Sequence, residues 1–266
     1  MIHTELRADC LFVTLAARAT RNALTDAMVE GMHQALAQVA EHPALRAVLL
    51  CGEAGTFCAG GDFSGFKAVM AEPPPADGPD PIARFNRRFG VLLERLSACE
   101  VATVAVVEGA AMGGGVGLAA ACDFVLAAEG AQFAMPEVTL GLPPAQIAPF
   151  VAARIGDGAA LRLMLTGRRL TAAQALAVGL ADEVLAADAL AARVSELLQQ
   201  LQRAEPASLR ATKAILRLRQ GADPAATLDF AAGLFARSLR SGTASEGLAA
   251  LSARRAPHWV NLGNCA

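Results

Sequence analysis

Between residues 46 and 128 the chain alternates short apolar runs with a segment of helical periodicity, and this alternation limits its fold most strongly. The runs at 46–51 and 101–107 are rich in valine and leucine and have the length of buried strands. A helical pattern at 82–98 lies between them. Because parallel strands need crossover connections of this kind, the alternation predicts an α/β core.

The segments before and between these runs extend the predicted core. Residues 11–15 form a further apolar run, and Thr25 and Asp26 offer N-cap groups to a helix that continues to about Val39. A turn-rich loop follows at 57–62, and a short helix is expected from Ser64. The segment at 71–81 contains five prolines, which remove backbone donors, so it predicts a mobile surface loop.

After residue 144 the pattern becomes helical nearly throughout, and only 182–185 resembles a strand. The candidate helices are separated by glycines and span 145–155, 158–165, 171–178, 188–203, 206–220 and 224–240. We therefore expect an α/β core at 1–190 and a C-terminal helical region at 191–266.

Composition excludes several classes of protein. The chain is 54% hydrophobic but only 5% aromatic, so alanine, leucine and valine must fill the core. A net charge of −2 provides no basic field for nucleic acid. The six cysteines form no CxxC pair and predict free thiols of a reducing compartment. No signal peptide or long apolar run is visible, which predicts a cytoplasmic protein without a membrane span.

Three stretches contain residues suited to chemistry. In FCAGGD (57–62) two adjacent glycines let the backbone approach a ligand closely, although an ordinary turn would also use them. Gly113, Gly114 and Gly115 then open an apolar helix. The first amides of a helix lack internal acceptors and suit an anion or a developing oxyanion, but tight helix packing would also explain these glycines.

The third stretch places Glu137 among apolar residues and prolines, in QFAMPEVTLGLPP. Burial raises the proton affinity of a carboxylate, which suits it to move protons near neutral pH. A glutamate that caps the next helix or reaches solvent is the alternative.

A dinucleotide-binding site has weaker support. Residues 115–120 fit G-x-G-x-x-A, but Gly115 lies eight residues beyond Val107, too far for the usual tight turn after a strand. The expected acidic residue is also misplaced, because Glu129 follows Gly115 by 14 positions.

In order and spacing, the three stretches resemble the enoyl-CoA hydratase/isomerase (crotonase) family. The resemblance runs from the segment Arg21–Leu24 to TGRRLTAAQALAVGLADEV at 166–184, and more weakly beyond it. It implies a crotonase-like spiral of ββα units with a C-terminal helical region, and a homotrimer or a dimer of trimers. It also implies an acyl-CoA thioester substrate, so that coenzyme A is part of the substrate and no separate cofactor is needed.

The resemblance also implies roles for individual residues. Gly61 and Gly114 match the two amide donors to the thioester oxygen, and Glu137 matches the catalytic glutamate. The CoA moiety would be lined by Ala59, Gly61, Asp62, Phe63 and Gly114.

One position departs from the two-glutamate hydratases of the family. Their second glutamate follows the donor glycine of the helix by three residues, and here that position is Gly117. We favour a hydratase, and the pattern most resembles the branch acting on branched or carboxylated enoyl-CoAs, such as 3-methylglutaconyl- and isohexenylglutaconyl-CoA. A Δ3–Δ2 enoyl-CoA isomerase using Glu137 alone and a non-catalytic acyl-CoA-binding protein are the alternatives.

Other polar residues are weaker candidates. We expect Glu108 to fix the glycine-rich loop at 113–115. Gln146 and Asp123 are expected to cap a helix or a strand. The four histidines have no partners at metal or triad spacing, so no metal is predicted. No G-x-S-x-G motif supports a serine hydrolase. An apolar stripe in the last helices (Leu228, Ala231, Phe235, Leu239) fits subunit contact or internal packing equally well.

Overall fold

The computed structural model describes residues 1–62, 77–78, 80–219, 221 and 223–260. Phe63, the short helix predicted from Ser64, most of the predicted loop at 71–81 and Cys265 lie outside the described residues.

The described chain forms two sheets. The strands are β1 (Ile2–Arg7), β2 (Cys10–Leu15), β3 (Ala47–Gly52), β4 (Ala102–Val107), β5 (Ala110–Met112), β6 (Phe124–Ala128), β7 (Gln132–Ala134), β8 (Arg169–Thr171) and β9 (Glu183–Leu185). Six of them form one sheet in the order β1-β2-β3-β4-β6-β9, and β5, β7 and β8 form a second. In the larger sheet β1 is antiparallel to β2, and the remaining neighbours are parallel.

Helices connect and cover these strands. They are α1 (Asp26–Glu41), α2 (Pro81–Ser97), α3 (Gly114–Ala121), α4 (Ala148–Ile155), α5 (Asp157–Thr166), α6 (Ala172–Ala177), α7 (Ala187–Arg203), α8 (Pro206–Leu218), α9 (Pro224–Arg240) and α10 (Thr243–Ser252), with 3-10 turns at Arg18–Thr20 and Glu137–Leu140. The predicted cap of α1 is confirmed, because the Thr25 side chain accepts a hydrogen bond from the Met28 amide. Among the described residues no helix is both long and apolar enough to cross a membrane.

The parallel strands are buried on both faces, which explains why their sequences are apolar throughout instead of alternating. In β4 all six residues are buried, and the apolar residues from Val104 to Val107 belong alternately to two different hydrophobic clusters. Ala105 and Val107 pack in the larger cluster with residues of α1, α2 and α3. Val104 and Val106 pack on the other face against Leu197 and other residues of α7.

The α/β core followed by helices is confirmed, but several short elements differ from the sequence prediction. The expectation of a single strand after residue 144 is wrong, because β8 at Arg169–Thr171 pairs antiparallel with β7. Strands β1, β5 and β7 and helix α10 were also not predicted. Three-residue strands are stabilised by partners distant in sequence, so local periodicity does not reveal them. The predicted boundary at residue 190 falls inside α7, and the division into two regions stays a prediction.

Candidate active site

The small sheet brings the three sequence motifs together. Cys58 forms an isolated parallel bridge with Ala111 of β5. This bridge joins the first glycine loop (57–62) to the second glycine loop (113–115). Strand β5 pairs in parallel with β7, with Met112 opposite Ala134. The Gly113 amide continues this ladder by donating to the Ala134 carbonyl at 2.8 Å. The register therefore sets the segment that leads to Glu137 beside the start of α3.

The backbone around Gly61 is paired with Leu24 in such a way that the Gly61 amide points away from Leu24. Gly61 forms an isolated parallel bridge with Leu24. The Leu24 amide donates to the Gly60 carbonyl at 2.7 Å, and the Asp62 amide donates to the Leu24 carbonyl at 3.2 Å. Since the flanking residues make both bonds, the N–H of Gly61 faces the opposite side and donates to no backbone acceptor within the described chain.

Gly114 is the first residue of α3, whose initial amides have no acceptor inside the helix. Its position depends on the absence of a side chain, because a Cβ at Gly114 would lie 2.7 Å from Leu24 Cδ1 and 3.3 Å from Phe89 Cζ. The two loops touch nearby, since a Cβ at Gly60 would lie 3.0 Å from the Met112 carbonyl oxygen. The segments carrying both predicted donors are therefore neighbours in space.

The carboxyl group of Glu137 lies against the same glycines. A Cβ at Gly113 would be 2.6 Å from Glu137 Oε1 and 4.0 Å from Gly60 Cα. Gly113 has a φ of +49°, which favours glycine in any case. Glu137 begins the 3-10 turn, and Gly141 ends that turn in the left-handed region. The three predicted catalytic positions are thus brought to one place.

Burial changes the protonation behaviour of Glu137. Desolvation raises the pKa of this carboxyl group, and a hydrogen bond from its own backbone opposes the shift. Its Oε2 is buried and has no hydrogen-bond partner among the described residues. A half-buried acid with one unpaired oxygen is suited to exchange a proton with a ligand.

Gly117, where two-glutamate hydratases have a second acid, faces an apolar surface. A Cβ at this position would lie 2.4 Å from Ile147 Cγ2 and 3.4 Å from Leu93 Cδ1. Ile147 is only 4% exposed. The space of a second carboxylate is therefore occupied by hydrocarbon from α2 and from the segment before α4.

The described residues predicted to line the CoA moiety lie next to the turn at Arg21 and Asn22. The Ala59 amide donates to the Arg21 carbonyl at 3.0 Å, and Asp62 bonds to Leu24 as described above. Arg21 and Asn22 both have positive φ. The buried Asn22 side chain stabilises this turn, since it accepts from the Ala17 amide and donates to the carbonyls of Glu53 and Thr56.

Sequence reasoning missed the role of Cys58 in this arrangement. Its thiol is fully buried, and burial raises its pKa to about 12. Its Sγ accepts the Gly60 amide at 3.4 Å and lies 3.3 Å from the position that a Cβ at Gly115 would take. Cys58 is thus packed between the two glycine loops, which its position in the first motif alone did not indicate.

The weaker candidates have mixed outcomes. The Glu108 side chain is exposed, and its carbonyl accepts the Phe57 amide at 2.8 Å, which helps to hold the first loop. Asp123 has the expected strand-end role, because it accepts from the amide and hydroxyl of Thr103 and pairs with Lys213. The helix-capping role expected for Gln146 is wrong. Helix α4 has no side-chain cap, and Gln146 instead bonds to Asn86 of α2.

Metal ligands are not grouped anywhere in the described chain, where no cluster of three or more His, Cys, Asp or Glu side chains could hold an ion. The five cysteines at 10, 51, 58, 99 and 122 are free, and all but Cys51 are buried, as predicted.

Comparison with known proteins gives consistent relatives. The family model described as enoyl-CoA hydratase/isomerase matches residues 5–262. The 2,3-dehydroadipyl-CoA hydratase of Escherichia coli (strain K12) is 32% identical over 93% of each chain. An enoyl-CoA hydratase/isomerase structure from Marinobacter aquaeolei superposes with a TM-score of 0.94 at 33% identity, over 98% of this chain and 99% of that one. Pseudomonas aeruginosa AtuE superposes at 0.92 with 41% identity over the same shares.

Proposed function

Because the chain belongs to the enoyl-CoA hydratase/isomerase family, as its motifs predicted, we propose that it adds water to an α,β-unsaturated acyl-CoA. The family itself establishes an enzyme with hydratase-type acyl-CoA activity. The observation that supports the specific chemistry is the contact between two glycine segments and one half-buried carboxyl group, at Gly60–Gly61, Gly113–Gly114 and Glu137.

In the proposed reaction the thioester oxygen accepts hydrogen bonds from the Gly61 and Gly114 amides. These bonds draw electron density from C3, which becomes electrophilic, and they stabilise the enolate that forms. Water bonds to C3 through its oxygen while Glu137 takes one of its protons. Glu137 then donates this proton to C2, so that one water is added and the carboxylate is restored. A preorganised donor of this kind contributes about 3–4 kcal/mol to transition-state stabilisation.

The decisive test replaces Glu137 by glutamine. Glu137→Gln should lower kcat for 2-enoyl-CoA hydration by about 10²–10⁴-fold, because the general acid/base is lost, and acyl-CoA affinity should stay near that of the wild type. Glu108→Gln is the matched control, since Glu108 is an exposed acid close in sequence to the second loop. Full activity of the Glu137 variant, measured by loss of the enoyl chromophore, would remove Glu137 from the mechanism.

A second candidate reaction is Δ3–Δ2 isomerisation, and Gly117 is the observation that favours it. Isomerisation needs only one base, which moves a proton between C2 and C4. At Gly117 the space of a second carboxylate is filled by Ile147 and Leu93. Incubation in D2O with 2-enoyl- and 3-enoyl-CoAs separates the reactions by mass. Hydration adds one D2O, whereas isomerisation leaves the composition unchanged apart from deuterium exchange, and a binding protein changes neither substrate.

The substrate and the assembly are also part of the proposal. The Escherichia coli relative is named for dehydroadipyl-CoA, the thioester of a dicarboxylic acid, which supports a branched or carboxylated acyl group here. Coenzyme A is then the handle of the substrate, bound along Ala59, Gly61, Asp62, Phe63 and Gly114. We further propose a homotrimer or a dimer of trimers in the cytoplasm.

A further inference from the structure

Helix α2 forms one wall beside the donor helix α3. A Cβ at Gly114 would lie 3.3 Å from Phe89 Cζ, and a Cβ at Gly117 would lie 3.4 Å from Leu93 Cδ1, so both side chains line the start of α3. Residues three or four apart share a helix face, so Asn86 lies on the same side of α2, one turn nearer to the start of the helix. Asn86 is half-buried. Its amide group therefore lies one helical turn from the ring that contacts the predicted donor Gly114.

The hydrogen-bond partner of Asn86 is Gln146, which lies in the segment before α4. Gln146 Nε2 donates to Asn86 Oδ1 at 2.9 Å. The next residue, Ile147, is the one that covers Gly117. A Cβ at Gly90 would lie 1.9 Å from Gln146 Oε1, so the Gln146 side chain occupies space that only a glycine leaves open. The two amides and Gly90 thus form one fitted contact, which we call the amide pair.

The amide pair has hydrogen-bonding capacity left over. A primary amide has two N–H donors and one acceptor oxygen. Within the described chain the bond between Asn86 and Gln146 is the only hydrogen bond of either side chain. Turning both amides over would exchange their roles, but one NH2 group stays unused in either orientation.

One guanidinium group, that of Arg87, lies next to the amide pair. The first three turns of α2 contain Arg84, Arg87 and Arg88, of which Arg88 is paired with Asp26, and the Asp80 carboxylate caps the start of the helix. A Cβ at Gly90 would also lie 2.9 Å from Arg87 Nη1, so the Arg87 guanidinium is next to the Gln146 side chain. Its ion pair with Glu94 is exposed on both sides, so water screens that pair and the positive charge remains available.

From this combination of an unused NH2 group and a nearby guanidinium, we propose that the amide pair binds a carboxylate on the acyl part of the substrate. Amide and guanidinium donors are the groups that hold carboxylates in proteins. The inference rests on the proposed function and deepens it, because it assigns the selection of carboxylated acyl-CoAs to Asn86 and Gln146, with Arg87 as the supporting charge.

Binding of saturated thioesters tests the inference without any turnover. Glutaryl-CoA and adipoyl-CoA carry a terminal carboxylate, and butyryl-CoA and hexanoyl-CoA are uncharged acyl counterparts. By calorimetry the wild type should bind at least one carboxylated thioester about 10- to 100-fold more tightly than its counterpart, the range of a hydrogen bond to a charged group.

Asn86→Asp is the sharpest variant. It keeps the Oδ1 acceptor of Gln146 but replaces the NH2 donor by a negatively charged oxygen. This variant should lose the preference for carboxylated thioesters and bind the uncharged ones as the wild type does, which also shows that it is folded. Gln34→Leu removes an exposed amide of α1 and serves as the control that should change nothing.

The outcomes separate the two proposals. If the wild type binds both series equally, or if Asn86→Asp keeps the preference, the amide pair has no role in recognition and the inference is overturned. If the wild type binds neither series, the proposed acyl-CoA function itself fails.

Discussion

At the residue scale, Glu137 joins a raised pKa to a buried, unpaired oxygen. If this carboxylate accepts the proton of water, kcat/KM should rise with pH through its pKa and then level off. Desolvation is the main cause of the shift, so the midpoint should lie above the ordinary value of 4.5. A pH profile of the wild type measures it, and a midpoint at or below 4.5 would contradict the assignment.

The same shift has a consequence for stability. Because the pKa is raised in the folded state, the folded protein keeps a proton that the unfolded chain releases. Stability therefore falls as pH rises from the ordinary pKa of 4.5 through the raised pKa of the folded state. Above that raised pKa the buried negative charge is unfavourable. Glu137→Gln should have a higher Tm than the wild type at pH 7, and the difference should shrink near pH 4. A lower Tm at pH 7 would mean that the carboxylate has a stabilising partner.

Gly117 gives the third residue-scale prediction. Replacing glycine by alanine inside a helix usually stabilises by up to about 1 kcal/mol. At Gly117 the added methyl group would meet Ile147 at 2.4 Å, so Gly117→Ala should instead destabilise by about 1–3 kcal/mol. Gly233 in α9 is the matched control, because a Cβ there would have no neighbour within 4 Å. Urea unfolding of the two variants should give changes of opposite sign.

Sequence reasoning could identify the chemistry of single residues better than their surroundings. The glycine pairs and Glu137 are detectable because close backbone approach and acid/base chemistry require particular residue types. The contacts of Cys58 with Gly115 and of Ile147 with Gly117 join residues 57 and 30 positions apart. Such packing depends on the register of the sheets, which no local pattern contains.

At the scale of elements, the long amphipathic segments were predictable and the short strands were not. Helix α2 was expected at 82–98 and is found at Pro81–Ser97, and α9 matches its predicted range of 224–240. Strands β5, β7 and β8 have three residues each and are stabilised by one another. They are the elements that bring the motifs into contact, so the assembly of the site could be expected only from the family resemblance.

Arg46 links several elements and gives the prediction at this scale. It is 3% exposed and donates to Asp9, to the carbonyls of Ala44 and Ala204, and to that of Trp259 near the C-terminus. Arg46→Met should destabilise by about 3–5 kcal/mol, because the half-buried Asp9 carboxylate and three backbone carbonyls lose their donor.

Arg88 provides the comparison for Arg46. Its ion pair with Asp26 is exposed on both sides, so Arg88→Met should cost at most about 1 kcal/mol. Denaturant midpoints of both variants measure the difference. Equal effects would show that Arg46 does not tie the end of α7 and the C-terminal segment to the sheet.

At the scale of the whole molecule, the last helices present an apolar surface to solvent. Leu228 is 70% exposed and Phe235 69%, and α9 buries only Thr227 within the chain. Large exposed apolar patches mark contact surfaces. Packing among the described residues therefore leaves most of the predicted stripe of α9 uncovered and available for contact between subunits.

The oligomer prediction follows from this surface. If the protein forms the proposed trimer or hexamer through this surface, the double variant Leu228→Glu/Phe235→Glu should be monomeric, which light scattering after size-exclusion chromatography measures directly. Leu6→Glu changes a half-exposed leucine on the edge strand β1 and should leave the assembly intact. A double variant that keeps the wild-type mass would place the subunit contact elsewhere.

The opening turns of α3 contribute backbone but few side chains, and each missing side chain admits an atom from another segment: Glu137 at Gly113, Phe89 at Gly114 and Ile147 at Gly117. The helix therefore presents fixed backbone amides, while the reactive Glu137 and the apolar Phe89 and Ile147 that surround them belong to other segments of the chain. A substitution at one of these three side chains therefore changes the surroundings of the proposed donors without changing the backbone that carries them.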